Sequence, residues 1–574
     1  MQNLSVSEEA HVELYGNLRG YVKRGRMVDP GAIRGMRRAY AESKLRKPTA
    51  DKGVIGNYTC AMSFFESLLV LLLVAIVLLQ ISRRLSVPYP SMLALAGAAV
   101  ALVPGMPYIS LDPHTALALF IAPALLDAAF DFPIGIARRF WVPLLVFAIG
   151  GVCATAAAVA FAGWAFAGLP IAAALVLGAI VAPPDAAAAT AVLSSMSIPR
   201  TTDTVLRGES LFNDAAALLI FDAALSVQSA GSLDTGVALH LSLAVPGGIL
   251  LGILAARVVR HLMRFVAGTL GGILLQFVQT FLLWIVAERL GLSAVLAIVA
   301  FAMTLARSSE ARSSARMRVQ SYAVWTAVVF VLNVMAFLLM GMQVRDIVGG
   351  MPADHLWDAA QFSLMTIVIV VAVRFIVCIG YNRLNAWHER SRGRPETATM
   401  TQALLAGWCG MRGLVTLATA FALPMDFPQR DVVVLTAFSV VLATLVVQGL
   451  TLTPIIRWLG LDRRAEGHGE LAVLRGKIAL AGLSRLDGAT ETEAELLRSK
   501  FRIEQLAASR IEDANSLDTY RRLALTAIAA QREELEKLRS VHKVNVDEYN
   551  LLLEEIDWRE LSVLPEDARR IEES

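Results

Sequence analysis

Two short stretches keep carboxylates inside segments that are otherwise apolar enough to cross a bilayer: Ala-Pro-Pro-Asp at 182–185 and Gly-Glu-Ser-Leu-Phe-Asn-Asp at 208–214. A charged side chain at the bilayer centre costs about 2.5–3.5 kcal/mol on insertion scales, and more on others. Two such segments in succession point to a path for an ion or a proton. In the first, Pro183 and Pro184 stand beside Asp185 and break the helix, leaving carbonyls for a cation to find. In the second, Ser210 and Asp214 are four apart and share one helix face, while Glu209 and Asn213 share the adjacent face. One stripe presents a carboxylate and a hydroxyl to a cation. The other presents Glu209 to a cationic side chain and Asn213 to backbone or carboxylate. A carboxylate kept from water favours its protonated form, and a bound cation reverses that preference. Competition of proton and metal for Asp214 gives one-for-one exchange.

A third constellation, Gly-Trp-Cys-Gly-Met-Arg-Gly at 407–413, sets three glycines around Arg412 in another apolar segment. Close helix packing accounts for the glycines but does not need a guanidinium. An arginine inside a broken helix can neutralise the partial charges of opposed helix ends and nearby carboxylates. Broken helices at corresponding places in two repeats are where transporters bind their ions.

The elements that position these residues are membrane spans. The chain has 574 residues, 56% hydrophobic and only 18% charged, with a mean hydropathy of +0.58. Soluble domains have about 25% charged residues. The pattern predicts an all-α polytopic protein of about thirteen spans. They lie near 64–81, 91–105, 113–130, 141–165, 171–195, 205–228, 238–259, 271–288, 292–306, 322–343, 360–381, 400–423 and 431–457. Arginines crowd alternate loops (Arg83, Arg138, Arg200, Arg257, Arg307, Arg383, Arg457 and their neighbours), while the opposite loops offer Arg289, Arg345 and Arg430. By the positive-inside rule this places the carboxyl tail in the cytoplasm and Met62 outside.

Three regions follow: a basic extension at 1–61, a membrane domain at 62–460 and a tail at 461–574. The extension falls on the disfavoured side and has no signal-peptide pattern, so Met62 is the expected natural start. The tail predicts two to four amphipathic helices, with Leu496, Leu497, Phe501 and Leu506, then Ile528, Leu535 and Leu538, near helical spacing. No nucleotide-binding fingerprint appears in it. Of four cysteines, Cys153, Cys378 and Cys409 sit in apolar segments without metal-like spacing. Asp112 and Asp131 are read as solvated ends, Glu66 as interfacial, and Asp222 as a candidate for an approach path, while His114 and His240 lie near outer ends.

Other classes fit less well. A channel needs a filter, and no Thr-Val-Gly-Tyr-Gly-like loop is present. An intramembrane enzyme needs a nucleophile, base or metal set, and there is no His-Glu-x-x-His. A sensor using the same fold is left open by the long tail.

These residues resemble the monovalent cation:proton antiporters, in their sodium/proton exchanger branch, over about 64–459. The stretch 178–189 (GAIVAPPDAAAA) looks like the family's first broken helix, and 208–214 looks like its next helix, with Asn213-Asp214 as the pair associated with electroneutral exchange. Ala-Leu-Leu-Asp-Ala at 124–128 and Gly-Met-Arg-Gly at 410–413 are similar to the helix that supplies a further acid and to the second broken helix. The resemblance implies Asp214 as the carboxylate that holds ion or proton, with Asp185, Ser210 and Pro184 as co-ligands of Na+ and Asn213 as organiser. It also implies Glu209 paired with Arg374, and Asp127 as an accessory acid. The family's usual order is threonine, aspartate, proline. Here it is Pro184, Asp185, Ala186, so a hydroxyl is missing and the choice of cation is what this alters. Expected with the family are inverted repeats, a core domain holding both broken helices, a homodimer in the inner membrane, no cofactor and no nucleic-acid partner. The cargo is Na+, with K+ or Li+ as alternatives, against H+.

Overall fold

The computed structural model describes residues 52–565, apart from 86–87, 102–112, 133, 194–195, 197, 231–234, 267–268, 310–314, 343–352, 393–398, 462–463, 487–491, 510 and 542. The expectations for residues 1–51, Asp112 and the side chains of His114 and His240 fall outside what it describes. One compact unit ends at Val70, and its described part is the beginning of the first helix; the second unit runs from Leu71 to Ser574. The described residues form helices and no strands.

Helix α1 spans Lys52–Leu85, so no helix boundary falls at Met62; no proline interrupts the run before Pro88. There follow α2 (Tyr89–Ala101), α3 (Pro113–Phe130), the short α4 (Ile134–Arg139) and α5 (Trp141–Phe166). The first broken helix is α6 (Ile171–Val181) and α7 (Ala186–Leu193). Then come α8 (Arg200–Ala230), α9 (Thr235–Val266), α10 (Leu270–Arg289), α11 (Ala294–Ser309), α12 (Ala315–Met342) and α13 (Ala353–Ser391). The second broken helix is α14 (Met400–Trp408) and α15 (Leu414–Phe421), and α16 (Arg430–Trp458) closes the apolar region. Each predicted span lands on a helix or a broken pair. Seven of the described helices are long and apolar enough to cross a membrane, and four more are apolar but shorter. The exposed faces of these helices are apolar, as at Leu250, Leu254 and Val258 of α9 or Leu364 and Val368 of α13. Such faces suit hydrocarbon, which cannot solvate polar side chains, while the helix satisfies its own backbone bonds.

Helix ends follow the local chemistry. Gly168, Gly291 and Gly460 adopt left-handed φ values of +64°, +66° and +65°, just past α5, α10 and α16. In each case the following amide bonds back to the helix, as Leu292 does to the Ala287 carbonyl at 2.9 Å. Thr399 and Gln402 form a capping box at the start of α14. Helices α5 and α16 each contain one widened π segment, Val146–Gly151 and Thr444–Gln448. Where α2 crosses α12, a Cβ on Gly97 would fall 2.2 Å from the Leu338 carbonyl oxygen, so the backbones meet as only small residues allow. A buried core joins α3, α8, α9, α10 and α11 around Leu126, Leu283, Trp284 and Phe301.

The described residues of the tail form four helices, α17 (Arg464–Leu486), α18 (Thr492–Ser509), α19 (Ile511–Ser540) and α20 (Val546–Val563). Ile528, Leu535, Tyr549 and Ile556 pack together between α19 and α20, and Arg532 reaches Asp557 and Glu560 at 2.5 Å each. Phe501 lies over Gly482, but Leu496 and Leu497 are exposed.

Candidate functional site

Pro183 and Pro184 end α6, because neither can donate to a helical carbonyl, and α7 restarts directly after Asp185. The second break, Cys409 to Gly413, lies against the first. The Asp185 amide donates to the Met411 carbonyl at 2.7 Å, joining the two interruptions by a backbone hydrogen bond. Gly413 meets the Asp185 carboxylate so closely that a Cβ there would sit 1.6 Å from its Oδ2. Asp185 thus lies at the start of both α7 and α15, the ends with positive partial charge.

Arg412 serves the opposite ends. It is 1% exposed. Its Nε donates to the Val181 carbonyl at 3.1 Å, at the end of α6, and its Nη1 donates to the Gly410 carbonyl just past α14. Both are carbonyl ends with negative partial charge. Its backbone amide donates to Thr444 Oγ1 at 3.0 Å, within the π segment of α16. The acceptors of these three hydrogen bonds of Arg412 are two carbonyls and a hydroxyl.

Glu209 and Arg374 form a second buried unit, 2% and 5% exposed. Arg374 donates from both terminal nitrogens to the two carboxylate oxygens, Nη2 to Oε2 at 2.8 Å. Such a fork-to-fork pair is the strongest form of this contact. The ring of Phe147, within the π segment of α5, has its centre 5.8 Å from the guanidinium carbon.

Asp214 and Asn213 follow on α8, and both are buried. Asn213 Nδ2 donates to the Pro184 carbonyl at 2.7 Å, which ties α8 to the first break. Asp214 lies within electrostatic reach of Asp185. Ser210, half-buried, lines a cleft together with Pro184, Asp185, Glu209, Arg374 and Cys409, whose outer wall includes Asp203 and Arg207. The crossing therefore assembles Asp185, Pro184, Ser210, Glu209, Arg374 and Cys409 around one cleft, with Asn213, Asp214 and Arg412 beside it. Asp127 is half-buried on α3 and is not part of that cleft wall. Asp222 and Asp131 are exposed, as is Glu66. Sequence reasoning missed Thr444 and the Met411 carbonyl, and for a lone hydroxyl or a backbone oxygen no sequence signal exists.

Comparison with known proteins agrees with this architecture. Residues 68–458 match the family model "Sodium/hydrogen exchanger, transmembrane". An uncharacterized Na+/H+ exchanger of Mycobacterium tuberculosis is 28% identical over 85% of this chain and 94% of its own length. A low-affinity Na+/H+ antiporter of Synechocystis is 27% identical over 78% of this chain and 86% of its own. A sodium, potassium, lithium and rubidium/H+ antiporter of Bacillus pumilus is 28% identical over 64% of this chain and 57% of its own. In fold, the chain is similar to two structures of the sodium proton antiporter MjNhaP1 from Methanocaldococcus jannaschii. The TM-scores are 0.50 and 0.53 at 17% and 18% identity, covering 70% of this chain and 99% and 98% of those. A family match across more than half of the chain, over helices broken where the motifs stand, makes this protein a member of the sodium/hydrogen exchanger family.

Proposed function

We propose that this chain is a secondary antiporter that exchanges a monovalent cation, Na+ in preference to K+ or Li+, for protons, with Asp214 holding one or the other. The observation that carries this reading is the charge balance at the crossing. Arg374 is committed to Glu209, and Arg412 to helix-end carbonyls. Among the described residues Asp214 has no ion pair, although it is buried and feels the charge of Asp185. A buried carboxylate in that position calls for a proton or a cation to neutralise it.

Ser210 lies one turn from Asp214 on the same face, so its hydroxyl, the Asp185 carboxylate and the Pro184 carbonyl are the further oxygens of a Na+ site. Asn213 organises that site through its bond to Pro184. Glu209–Arg374 and Arg412 hold the frame, and Asp127 is an accessory acid on α3. With one carboxyl shared by both cargoes, each turnover moves one cation against one proton. A proton gradient then supplies the work, and the cell gains control of its sodium and pH. The distribution of arginines supports an inner-membrane protein with its tail in the cytoplasm, and the family supports a homodimer formed by helices outside the crossing. The relatives named for several alkali cations support K+ as the alternative cargo.

The test is collapse of a pH gradient in proteoliposomes on addition of NaCl and then KCl, for the parent and for Asp214→Asn. The parent should respond, more strongly to Na+, and the variant should be silent. Equal responses would overturn the assignment of Asp214.

A further inference from the structure

The cleft beside Asp185 and Ser210 has an outer wall that the exchange chemistry does not use. Asp203, Arg207, Ser210 and Asp214 follow one another on α8 at spacings of four, three and four residues. At 100° per residue these four side chains fall within about 60° of one another, along a stripe roughly 16 Å long. The stripe runs from the first turn of α8 inward: the side chains of Asp203 and Arg207 at its outer end are 31% and 51% exposed, Ser210 is half-buried and Asp214 is buried. Asp203 and Arg207 line the same cleft as Ser210 and Asp185. Arg207 Nε donates to Asp203 Oδ1 at 2.9 Å. That bond points the guanidinium one turn toward the start of the helix, away from Ser210.

An ion pair so exposed is held only weakly, so the guanidinium can leave Asp203. When it does, Glu209 in the same cleft is already committed to Arg374, and the carboxylate a long side chain can turn toward is Asp185. A guanidinium there would occupy the approach that a metal cation needs.

We propose that Asp203 and Arg207 form a latch at the mouth of the cation path. Arg207 is a tethered competitor of the cargo, and Asp203 draws it back toward solvent so that the cargo can enter. The latch rests on the antiport reading. It makes Arg207 a positioning residue that sets apparent cation affinity without touching the exchange step, on the side of the membrane where the arginine-rich connections lie.

The test is the Na+ dependence of exchange in proteoliposomes, for the parent, Asp203→Asn, Arg207→Gln and the double variant, with ionic strength held by N-methyl-glucamine chloride. Asp203→Asn should raise the apparent KM for Na+ about two- to fivefold, and Arg207→Gln should lower it by a similar factor. The double variant should follow Arg207→Gln, since Asp203 acts only through the arginine. Maximal rates should stay at the parental level, and the KM differences should shrink at about 1 M salt. Unchanged KM values would overturn the latch. So would a double variant that returns to the parental KM, because simple addition of two surface charges gives that result. Asp214→Asn measured alongside separates the readings: if it is silent while the Arg207 variants keep the parental KM, the latch fails and the antiport assignment stands. If it exchanges like the parent, the antiport assignment itself fails.

Discussion

The Asp185 amide and the Met411 carbonyl, 226 residues apart in sequence, meet at 2.7 Å, so the two helix interruptions are one hydrogen-bonded unit. Each break supplies what the other lacks. The first leaves a donor at Asp185, and the second leaves an acceptor at Met411. Neither group has a helical partner of its own at a break.

Gly413 should tolerate no side chain without a shift in the site. A methyl group there would overlap the Asp185 carboxylate, 1.6 Å from Oδ2. Relieving the overlap must move either Asp185 or the start of α15, at a cost of about 1–3 kcal/mol. Gly413→Ala is expected to lower both the melting temperature in detergent and the exchange rate in proteoliposomes. Gly380→Ala, on α13 with nothing within 4 Å of the added methyl, should change neither. Parental behaviour of Gly413→Ala would contradict the close approach.

Glu209 and Arg374 should be strongly coupled. Removing one member of a buried ion pair leaves the other charge unmatched and costs about 3–5 kcal/mol. Glu209→Gln and Arg374→Gln should each lower the thermal stability of the solubilised protein sharply. The double variant should lose less than the sum of the two. Strict additivity in melting temperature would show that the pair contributes nothing as a pair.

In the tail, the Tyr549 hydroxyl donates to Glu536, and this bond, with a smaller contribution from burial, holds the phenol above its ordinary range; Arg539 works in the opposite direction. A group whose folded-state value is raised stabilises the fold below its unfolded value, about 10 for tyrosine. That contribution is lost as pH climbs through the raised value. The packing of α19 on α20 should therefore be insensitive to this group at neutral pH and loosen only in strong alkali. The 295 nm absorbance titration of the parent minus that of Tyr549→Phe isolates the phenol. A midpoint at or below the ordinary value would contradict the contact.

The spans were legible in the sequence because long apolar runs and arginine-bearing gaps are physical requirements of a bilayer. The breaks were legible because prolines at 183 and 184 remove helical donors, and glycines at 410 and 413 flanking an arginine weaken the helix there. Glu209 with Arg374 follows from no local spacing, since 165 residues separate them, and only the family resemblance suggested it. The role of Thr444 was invisible, because a threonine in an apolar helix has many uses and only the meeting of α16 with the second break selects one. The stripe from Asp203 to Asp214 was open to simple arithmetic at its outer end, yet its first two members read as an ordinary surface pair. In the tail, periodicity marked Leu535 and Ile528 correctly, whereas Leu496 shares that periodicity and faces outward. Spacing names a face but not what covers it.

Arg412 grips the carbonyl end of α6 with one nitrogen and the carbonyl beyond α14 with another. Scissoring of one broken helix against the other would break the Arg412–Val181 bond together with the Asp185–Met411 bond, and leave the guanidinium short of an acceptor in a water-poor interior. Whatever opens this carrier to alternate sides must then transport the whole junction as a rigid block, with the sliding surfaces placed elsewhere in the bundle.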